Sequence, residues 1–256
     1  MPVHAQDVDD LWKSLMARGL NEDNAKDYAK AELTYLQALK EAERFGADDP
    51  RVATTETSLG LAYRHQKKFS EAESAYRRAL GIIEKTNEPG SIDVADANLN
   101  LAAAMVGGGR TAAALPVIQK ALDVYESEVG GFHQKTADAL CLEGDAYRLQ
   151  KSYLEAEQPL RRCADIRQSN GGMSDLAFAE ALHGLALAYM GSGKYALAEP
   201  RFTLAEKIRE KNLGITSPLL AETMEDHAAL LKKLGRDTEA ARLNAMAAAI
   251  LKTNKK

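Results

Sequence analysis

An acidic residue recurs at one place along the chain. Asp96, Asp138, Glu180 and Glu222 follow one another at a constant step of 42 in residue number. Such a row of carboxylates could bind a basic or amine-bearing ligand through charge-assisted hydrogen bonds. The alternative is that each acid lies in the first turn of a helix, where the helix dipole and unpaired N–H groups favour negative charge. We favour the alternative, because the dipole accounts for all four acids.

The other reactive residues show no arrangement that is typical of catalysis or of a metal site. The five histidines are His4, His65, His133, His183 and His227. None has metal-ligand spacing, and motifs for nucleophilic catalysis or nucleotide binding are missing. Cys141 and Cys163 fit no redox or metal motif, and we interpret them as two buried free thiols, with a disulfide as the alternative. The sequence therefore predicts no enzyme, no metal and no cofactor.

Composition narrows the range of partners. The chain has 256 residues, of which 45% are hydrophobic and 27% charged, and its formal net charge is −4. A nucleic-acid-binding protein usually carries a basic surface, so we predict no nucleic-acid partner. No stretch reaches the roughly 20 apolar residues that cross a membrane. Val3 and Ala5 stand where a secretory signal has its small residues. Residues 1–6 are therefore either an N-terminal tail or a signal remnant. A signal remnant would indicate a periplasmic or secreted protein, and otherwise we predict a cytoplasmic one.

The elements that carry these residues follow from an internal repeat. One series of alanines has the same step as the acids and comprises Ala53, Ala95, Ala137, Ala179 and Ala221. Two further series with this step lie later in each repeat. One comprises Ala72, Ala114, Ala156, Ala198 and Ala240, and the other comprises Ala79, Ala121, Cys163, Ala205 and Ala247. The period predicts six repeats, approximately 7–48, 49–90, 91–132, 133–174, 175–216 and 217–256, in one domain over 7–256. Ala31 precedes Ala72 by one position less than the period, so the first repeat slips by one.

Each repeat has the pattern of two helices, and small residues at fixed positions would let those helices approach closely. Ser70 and Glu73 have the spacing of a capping box, which would start a second helix at Ser70. Three prolines fall near the start of second helices: Pro116, Pro159 and Pro200. We predict that these helices continue past their prolines, because the alanine series stay in register.

The second repeat carries a family resemblance. Its Leu59-Gly60, Tyr63, Ala72, Tyr76 and Ala79 stand where tetratricopeptide repeats have Leu-Gly, Tyr, Ala, Phe or Tyr, and Ala. The length of the period resembles the kinesin-light-chain subtype of that family. The resemblance implies an all-α, right-handed α-solenoid of about six helix-turn-helix pairs, or about twelve helices. It also implies a concave groove, lined by the first helices, that binds a protein or peptide.

Helical spacing on the first helices then selects the candidate binding residues: Arg64, Asp96, Asn100, Asp138, Asp145, Arg148, Glu180, His183 and Glu222. Asn100 resembles the asparagine with which kinesin-light-chain-like repeats hold a peptide backbone. The equivalent positions depart from that pattern, since they hold Ser58, Leu142, Gly184 and Asp226.

We therefore predict a non-catalytic scaffold for a protein or peptide whose identity the sequence leaves open. One alternative is a self-associating platform, a homodimer formed through the alanine-rich last helix with Leu243 and Leu251. The other is a regulatory module that responds to a small molecule in an apolar pocket. That pocket would be built around Leu99, Cys141, Leu142 and Leu187.

Overall fold

The computed structural model describes residues 5–172 and 175–253. Val3 and the start of the predicted tail lie outside these residues, and the first helix begins at Ala5. The helices of the described residues are α1 (Ala5–Asn24), α2 (Tyr28–Ala42), α3 (Pro50–His65), α4 (Phe69–Thr86), α5 (Ile92–Gly107), α6 (Thr111–Glu128), α7 (Gln134–Leu149), α8 (Tyr153–Gly171), α9 (Leu176–Gly191), α10 (Tyr195–Leu213), α11 (Pro218–Lys233) and α12 (Asp237–Thr253). A short 3-10 segment, Glu43–Phe45, follows α2.

The helix boundaries confirm the predicted period. First helices α3, α5, α7, α9 and α11 begin at residues 50, 92, 134, 176 and 218, and second helices from α4 onward begin at 69, 111, 153, 195 and 237. Helix α2 begins at Tyr28, one position later than the period counted back from α4 would place it, as the slipped first repeat predicts. Helices α6, α8 and α10 contain their prolines internally, which confirms the prediction that they continue.

The chain consists of two compact units, one ending at Val129 with α1–α6 and one beginning at Gly130 with α7–α12. We call them the N-terminal unit and the C-terminal unit. Inside each unit every helix packs on the next one along the chain, and short turns make the helices of a pair antiparallel. In the C-terminal unit, the first helix α9 also contacts both α7 and α11. Each unit is a stack of three helix pairs, which is the α-solenoid architecture predicted.

The alanine series mark the points of closest helix approach. Ala156 and Ala198 are fully buried in the core of the C-terminal unit, together with Leu160, Phe202 and Leu230. A large side chain from one helix fills the space beside a small residue of its neighbour, as close packing requires. The repeated small residues are therefore a consequence of the pairing of helices.

The capping box predicted at Ser70 is wrong. Helix α4 begins at Phe69, and the residue before it, Lys68, makes no side-chain cap. The short turn places Ser70 inside the first turn, and Glu73 instead accepts hydrogen bonds of 3.0 and 2.7 Å from Arg77. Side-chain caps occur at α2, where Asp27 accepts from the Lys30 N–H, and at several first helices, for example where the Asp49 carboxylate accepts from the Arg51 N–H at 2.9 Å.

The last helix places its larger apolar residues inward. Leu243, Ile250 and Leu251 of α12 pack against a buried cluster that includes Leu220 and Met224 of α11. Met246 is the large apolar residue of α12 that stays exposed. Substitutions at Leu243 or Leu251 would therefore disturb the core, so they are unsuitable as probes of self-association.

Gly144 of α7 packs closely against Leu160 of α8. An added Cβ there would lie 2.4 Å from Leu160 Cγ, so we expect Gly144→Ala to lower the free energy of unfolding by about 1–3 kcal/mol. Gly81 lies in α4 with no heavy atom within 4 Å of an added Cβ. Gly81→Ala should therefore raise that free energy by about 0.5–1 kcal/mol. Urea unfolding of both variants measures the difference, and changes of the same sign would contradict the packing at Gly144.

Candidate functional site

The predicted binding residues divide between the two units. Arg64, Asp96 and Asn100 belong to the N-terminal unit, and the other six belong to the C-terminal unit. The six comprise Asp138, Asp145, Arg148, Glu180, His183 and Glu222.

In the C-terminal unit the first helices form a continuous groove. It consists of adjoining cavities of 210 and 370 Å³ that share the lining residues Asp145, Glu180 and Gly184. We call these two cavities the C-terminal groove. All six predicted residues of this unit line it. Helical periodicity therefore identified the residues that α7, α9 and α11 present to one surface.

The acids of the row lie deeper in their helices than the dipole interpretation requires. Each is the fifth residue of its helix: Asp96 in α5, Asp138 in α7, Glu180 in α9 and Glu222 in α11. Helices α7, α9 and α11 have no acid in the first turn. Because the dipole effect falls off within that turn, the dipole interpretation of this row is wrong.

Two acids of the row instead hold the second helix of their own pair. Asp96 accepts a hydrogen bond of 2.7 Å from the Tyr125 hydroxyl, and Asp138 forms an ion pair with Arg167. In both pairs the partner follows the acid by the same number of positions and lies on the facing side of the second helix. These two acids therefore have a structural role.

Arg209 has the same offset from Glu180 but bonds differently. Its Nη1 donates to the Leu219 carbonyl at 2.9 Å and to Thr223 Oγ1 at 2.5 Å. The residue is only 5% exposed. Burial lowers the pKa of the Arg209 guanidinium, while the nearby carboxylates of Glu222, Glu180 and Asp226 act in the opposite direction. A buried positive charge thus lies below an acidic surface.

Glu180 and Glu222 differ from the other acids of the row. Both are exposed, and neither makes a hydrogen bond or ion pair with any residue that the structure describes. The groove cation Arg148 is already held by Asp145, with Arg148 Nη2 3.0 Å from Asp145 Oδ1. The charge that the groove offers to solvent is therefore mainly negative.

A buried histidine connects two first helices at the groove. His183 Nε2 in α9 lies 2.8 Å from Asp226 Oδ2 in α11, and His183 is buried. Asp226 occupies the position equivalent to Asn100, where the family resemblance implies an asparagine. Asp226, Arg167 and Arg209 are not among the binding residues predicted from the sequence. The constant offset from the acidic row is the signal that could have found the two arginines.

The cysteines are not free thiols. Cys141 and Cys163 form a disulfide with a Cα–Cα distance of 5.5 Å, and no free cysteine is found among the described residues. The prediction of two buried thiols is therefore wrong. The spacing of the two cysteines in the sequence carries no information on geometry, but the antiparallel pairing of α7 and α8 places them opposite each other.

The N-terminal unit presents a different surface. A cavity of 380 Å³ between α3, α4 and α5 is lined by Asp96 and Asn100, whereas Arg64 does not line it. Three hydroxyl residues of α3 also line it: Thr54, Thr57 and Ser58. Their hydroxyls donate to carbonyls of their own helix at 2.9–3.1 Å. This surface is less charged than the C-terminal groove.

Across residues 5–172 and 175–253, no three His, Cys, Asp or Glu side chains come together as metal ligands. No helix in that part of the chain is long and apolar enough to cross a membrane.

The two kinds of acid should differ in their effect on stability. We expect Asp138→Ala to lower the free energy of unfolding by about 1–3 kcal/mol, because it leaves the charged Arg167 without its carboxylate. Arg167 is only 8% exposed. Glu222→Ala should change that free energy by less than about 0.5 kcal/mol. Urea unfolding followed by circular dichroism measures both, and equal losses would contradict the distinction.

Comparison with known proteins agrees with this architecture. The tetratricopeptide repeat model matches residues 14–85, 93–169 and 178–253. A search of curated proteins found no significant sequence relative. BtubC from P. vanneervenii is a similar structure, 19% identical over 89% of this chain and 92% of that chain, with a TM-score of 0.73.

Two further structures resemble the chain. Nearly identical TPR-like repeats attributed to a Podosopora anserina kinesin light chain are 16% identical over 82% of this chain and 98% of that chain, with a TM-score of 0.65. A Rap protein complexed with competence and sporulation factor is 18% identical over 95% of this chain and 75% of that chain, also with a TM-score of 0.65. The family match over most of the length and the repeated helix pairs agree, and the chain belongs to the tetratricopeptide repeat family.

Proposed function

We propose that this protein is a non-catalytic scaffold whose C-terminal groove binds an extended polypeptide segment with lysine or arginine side chains. The observation that carries the proposal is the pair of exposed carboxylates, Glu180 and Glu222, which have no hydrogen-bonding partner among the described residues. They line the same cavity of 370 Å³. A cationic side chain placed there would gain charge-assisted hydrogen bonds that the protein itself does not satisfy.

The construction of the groove supports a ligand that lies across several helices. Its two cavities adjoin through Asp145 and Glu180, so neighbouring side chains of one segment could occupy both. The His183–Asp226 contact between α9 and α11 would hold the far cavity in shape. Separate cavities for neighbouring side chains would supply the specificity for such a segment.

The similar structures favour binding as the class of function. One of them, a Rap protein, was solved in complex with competence and sporulation factor. Arrays of helix pairs offer extended surfaces that many families use for binding. Because one fold serves many functions, the choice of a cationic ligand rests on the groove residues alone.

Binding of selected peptides tests the proposal. A random decapeptide library should yield binders enriched in lysine and arginine. Their affinity, measured by fluorescence anisotropy, should fall by roughly 2- to 30-fold in Glu180→Gln/Glu222→Gln, because an exposed ion pair contributes about 0.2–1 kcal/mol. Higher salt should weaken binding to the wild type, since it screens exposed charges.

A charge-matched variant provides the control. Glu155 of α8 and Glu210 of α10 are exposed carboxylates that do not line the groove. Glu155→Gln/Glu210→Gln removes the same charge and should leave the affinity unchanged. An equal loss in both variants would mean that net charge, and not the groove, attracts the peptide. Selection of acidic or uncharged peptides would reject a cationic ligand.

A further inference from the structure

We propose that the Cys141–Cys163 disulfide is a thiol-exchange site that opens into the C-terminal groove and accepts a cationic thiol. The proposal goes beyond polypeptide binding and does not require it. Cys141 lines the 210 Å³ cavity of the groove and is partly exposed. Cys163 is 0% exposed in the core of the α7–α8 pair. A thiol in the groove can therefore reach the sulfur of Cys141 and not that of Cys163.

The direction of the disulfide suits attack from the groove. In thiol–disulfide exchange a thiolate attacks one sulfur, and the rate depends on access and on which sulfur leaves. The bond runs from a residue at the groove wall to a residue in the core. Attack from the groove on Cys141 therefore makes the buried sulfur of Cys163 the leaving group.

Arg167 is placed to assist the leaving sulfur. It lies one helical turn after Cys163 in α8, so the two side chains share one face of the helix. Arg167 is 8% exposed, and its buried Nε–H finds no hydrogen-bond acceptor in the described part of the chain. A buried donor left without a partner is costly. A cysteine beside an arginine has a stabilised thiolate, so the free Nε–H gives the released Cys163 sulfur a partner.

The other repeats show that helix pairing does not need this disulfide. The residue pairs at the equivalent positions are Thr57 and Ala79, Leu99 and Ala121, His183 and Ala205, and Glu225 and Ala247. The same helix–turn–helix pair forms with each of them. The two cysteines of the chain thus occur together in one repeat, beside the groove.

The exchange balances without an external oxidant. The thiolate of the incoming compound forms a new S–S bond with Cys141 Sγ, and the Cys141–Cys163 bond breaks. Its electron pair passes to Cys163 Sγ, which leaves as a thiolate and takes up a proton. One disulfide is consumed and one is formed, so the number of disulfides is unchanged. The product carries a mixed disulfide at Cys141 and a free thiol at Cys163.

Small thiols of opposite charge test the site in the folded wild-type protein. Cysteamine and 3-mercaptopropionate are supplied at equal thiolate concentration, the reaction is stopped with acid, and free thiols are alkylated. Peptide mapping by mass spectrometry should place the adduct on Cys141 and the alkyl group on Cys163. Each rate is divided by the rate of the same thiolate with the neutral hydroxyethyl disulfide, which removes the difference in intrinsic nucleophilicity. On this scale cysteamine should react at least about threefold faster at low salt, because Asp138, Asp145 and Glu180 line the cavity, and the ratio should fall as salt is added.

Several results would overturn the proposal. They are an adduct on Cys163, equal rates for the two thiols after division by their rates with hydroxyethyl disulfide, or reaction only in denaturant. Two variants separate the role of Arg167 from a general charge effect. Arg167→Lys keeps the charge but removes the Nε–H, and it should slow exchange relative to Arg161→Lys, a change at an exposed position of the same helix. Equal rates in the two variants would remove Arg167 from the mechanism. Since no peptide is present, failure here leaves the polypeptide-binding test unaffected.

Discussion

Replacement of Phe202 by alanine should lower the free energy of unfolding by about 3–5 kcal/mol. Phe202 is fully buried in the core of the C-terminal unit, where it packs with Leu160 and Leu230. Its ring also lies between those of His183 and His227, at centroid distances of 5.8 and 5.6 Å. Alanine would remove these contacts and leave a cavity that the surrounding helices cannot close without moving. Urea unfolding followed by circular dichroism measures the loss.

A leucine at the same position is the matched control. The preceding repeat carries Leu160 at the position equivalent to Phe202. Because leucine fills most of the space, Phe202→Leu should cost less than about 1.5 kcal/mol. A loss in Phe202→Ala no larger than the loss in Phe202→Leu would mean that this core is not packed as described.

Removal of the disulfide should have the next largest effect. Cys141 and Cys163 have a sequence separation of 22, and a crosslink that closes a loop of this size lowers the entropy of the unfolded chain. The loop-entropy relation gives about 3 kcal/mol. We therefore expect Cys141→Thr/Cys163→Ala to lose about 3 kcal/mol in urea unfolding, relative to the oxidised wild type.

The residues of this double variant are those that the second repeat uses, Thr57 and Ala79, so the helix packing should be retained. A phosphine reductant should lower the stability of the wild type by a similar amount and leave the variant unchanged. A variant as stable as the oxidised wild type, or a wild type insensitive to reductant, would contradict a disulfide that constrains the unfolded chain.

Much of the fold could be predicted because every repeat encodes the same pair of helices. Helix pairs, their order and their period follow from small residues such as Ala72 and Ala79, which recur at each point of close approach. The capping box failed for a local reason. One extra residue, Phe69, joined the start of α4 and moved Ser70 into the helix, which a pattern of spacing cannot detect.

The site was predicted in part. The groove-facing residues of α7, α9 and α11 follow from helical periodicity, and the row from Asp138 to Glu222 lies where that periodicity places it. The roles of these acids could not be predicted, because they depend on the facing residue of the second helix. The facing residue is Tyr125 for Asp96 and Arg167 for Asp138. For Glu180 it is Arg209, which donates to Thr223 instead. The disulfide could not be predicted for the same reason, because it forms only where α7 and α8 place Cys141 opposite Cys163.

Zero-length crosslinking of a bound peptide locates the ligand most directly. A lysine-containing peptide selected by binding would be coupled by carbodiimide to the carboxylates that its amines contact, and mass spectrometry would map the linked residues. We predict crosslinks at Glu180 and Glu222 in the C-terminal groove. Crosslinks confined to Glu155 and Glu210 on the second helices would contradict a groove-binding scaffold.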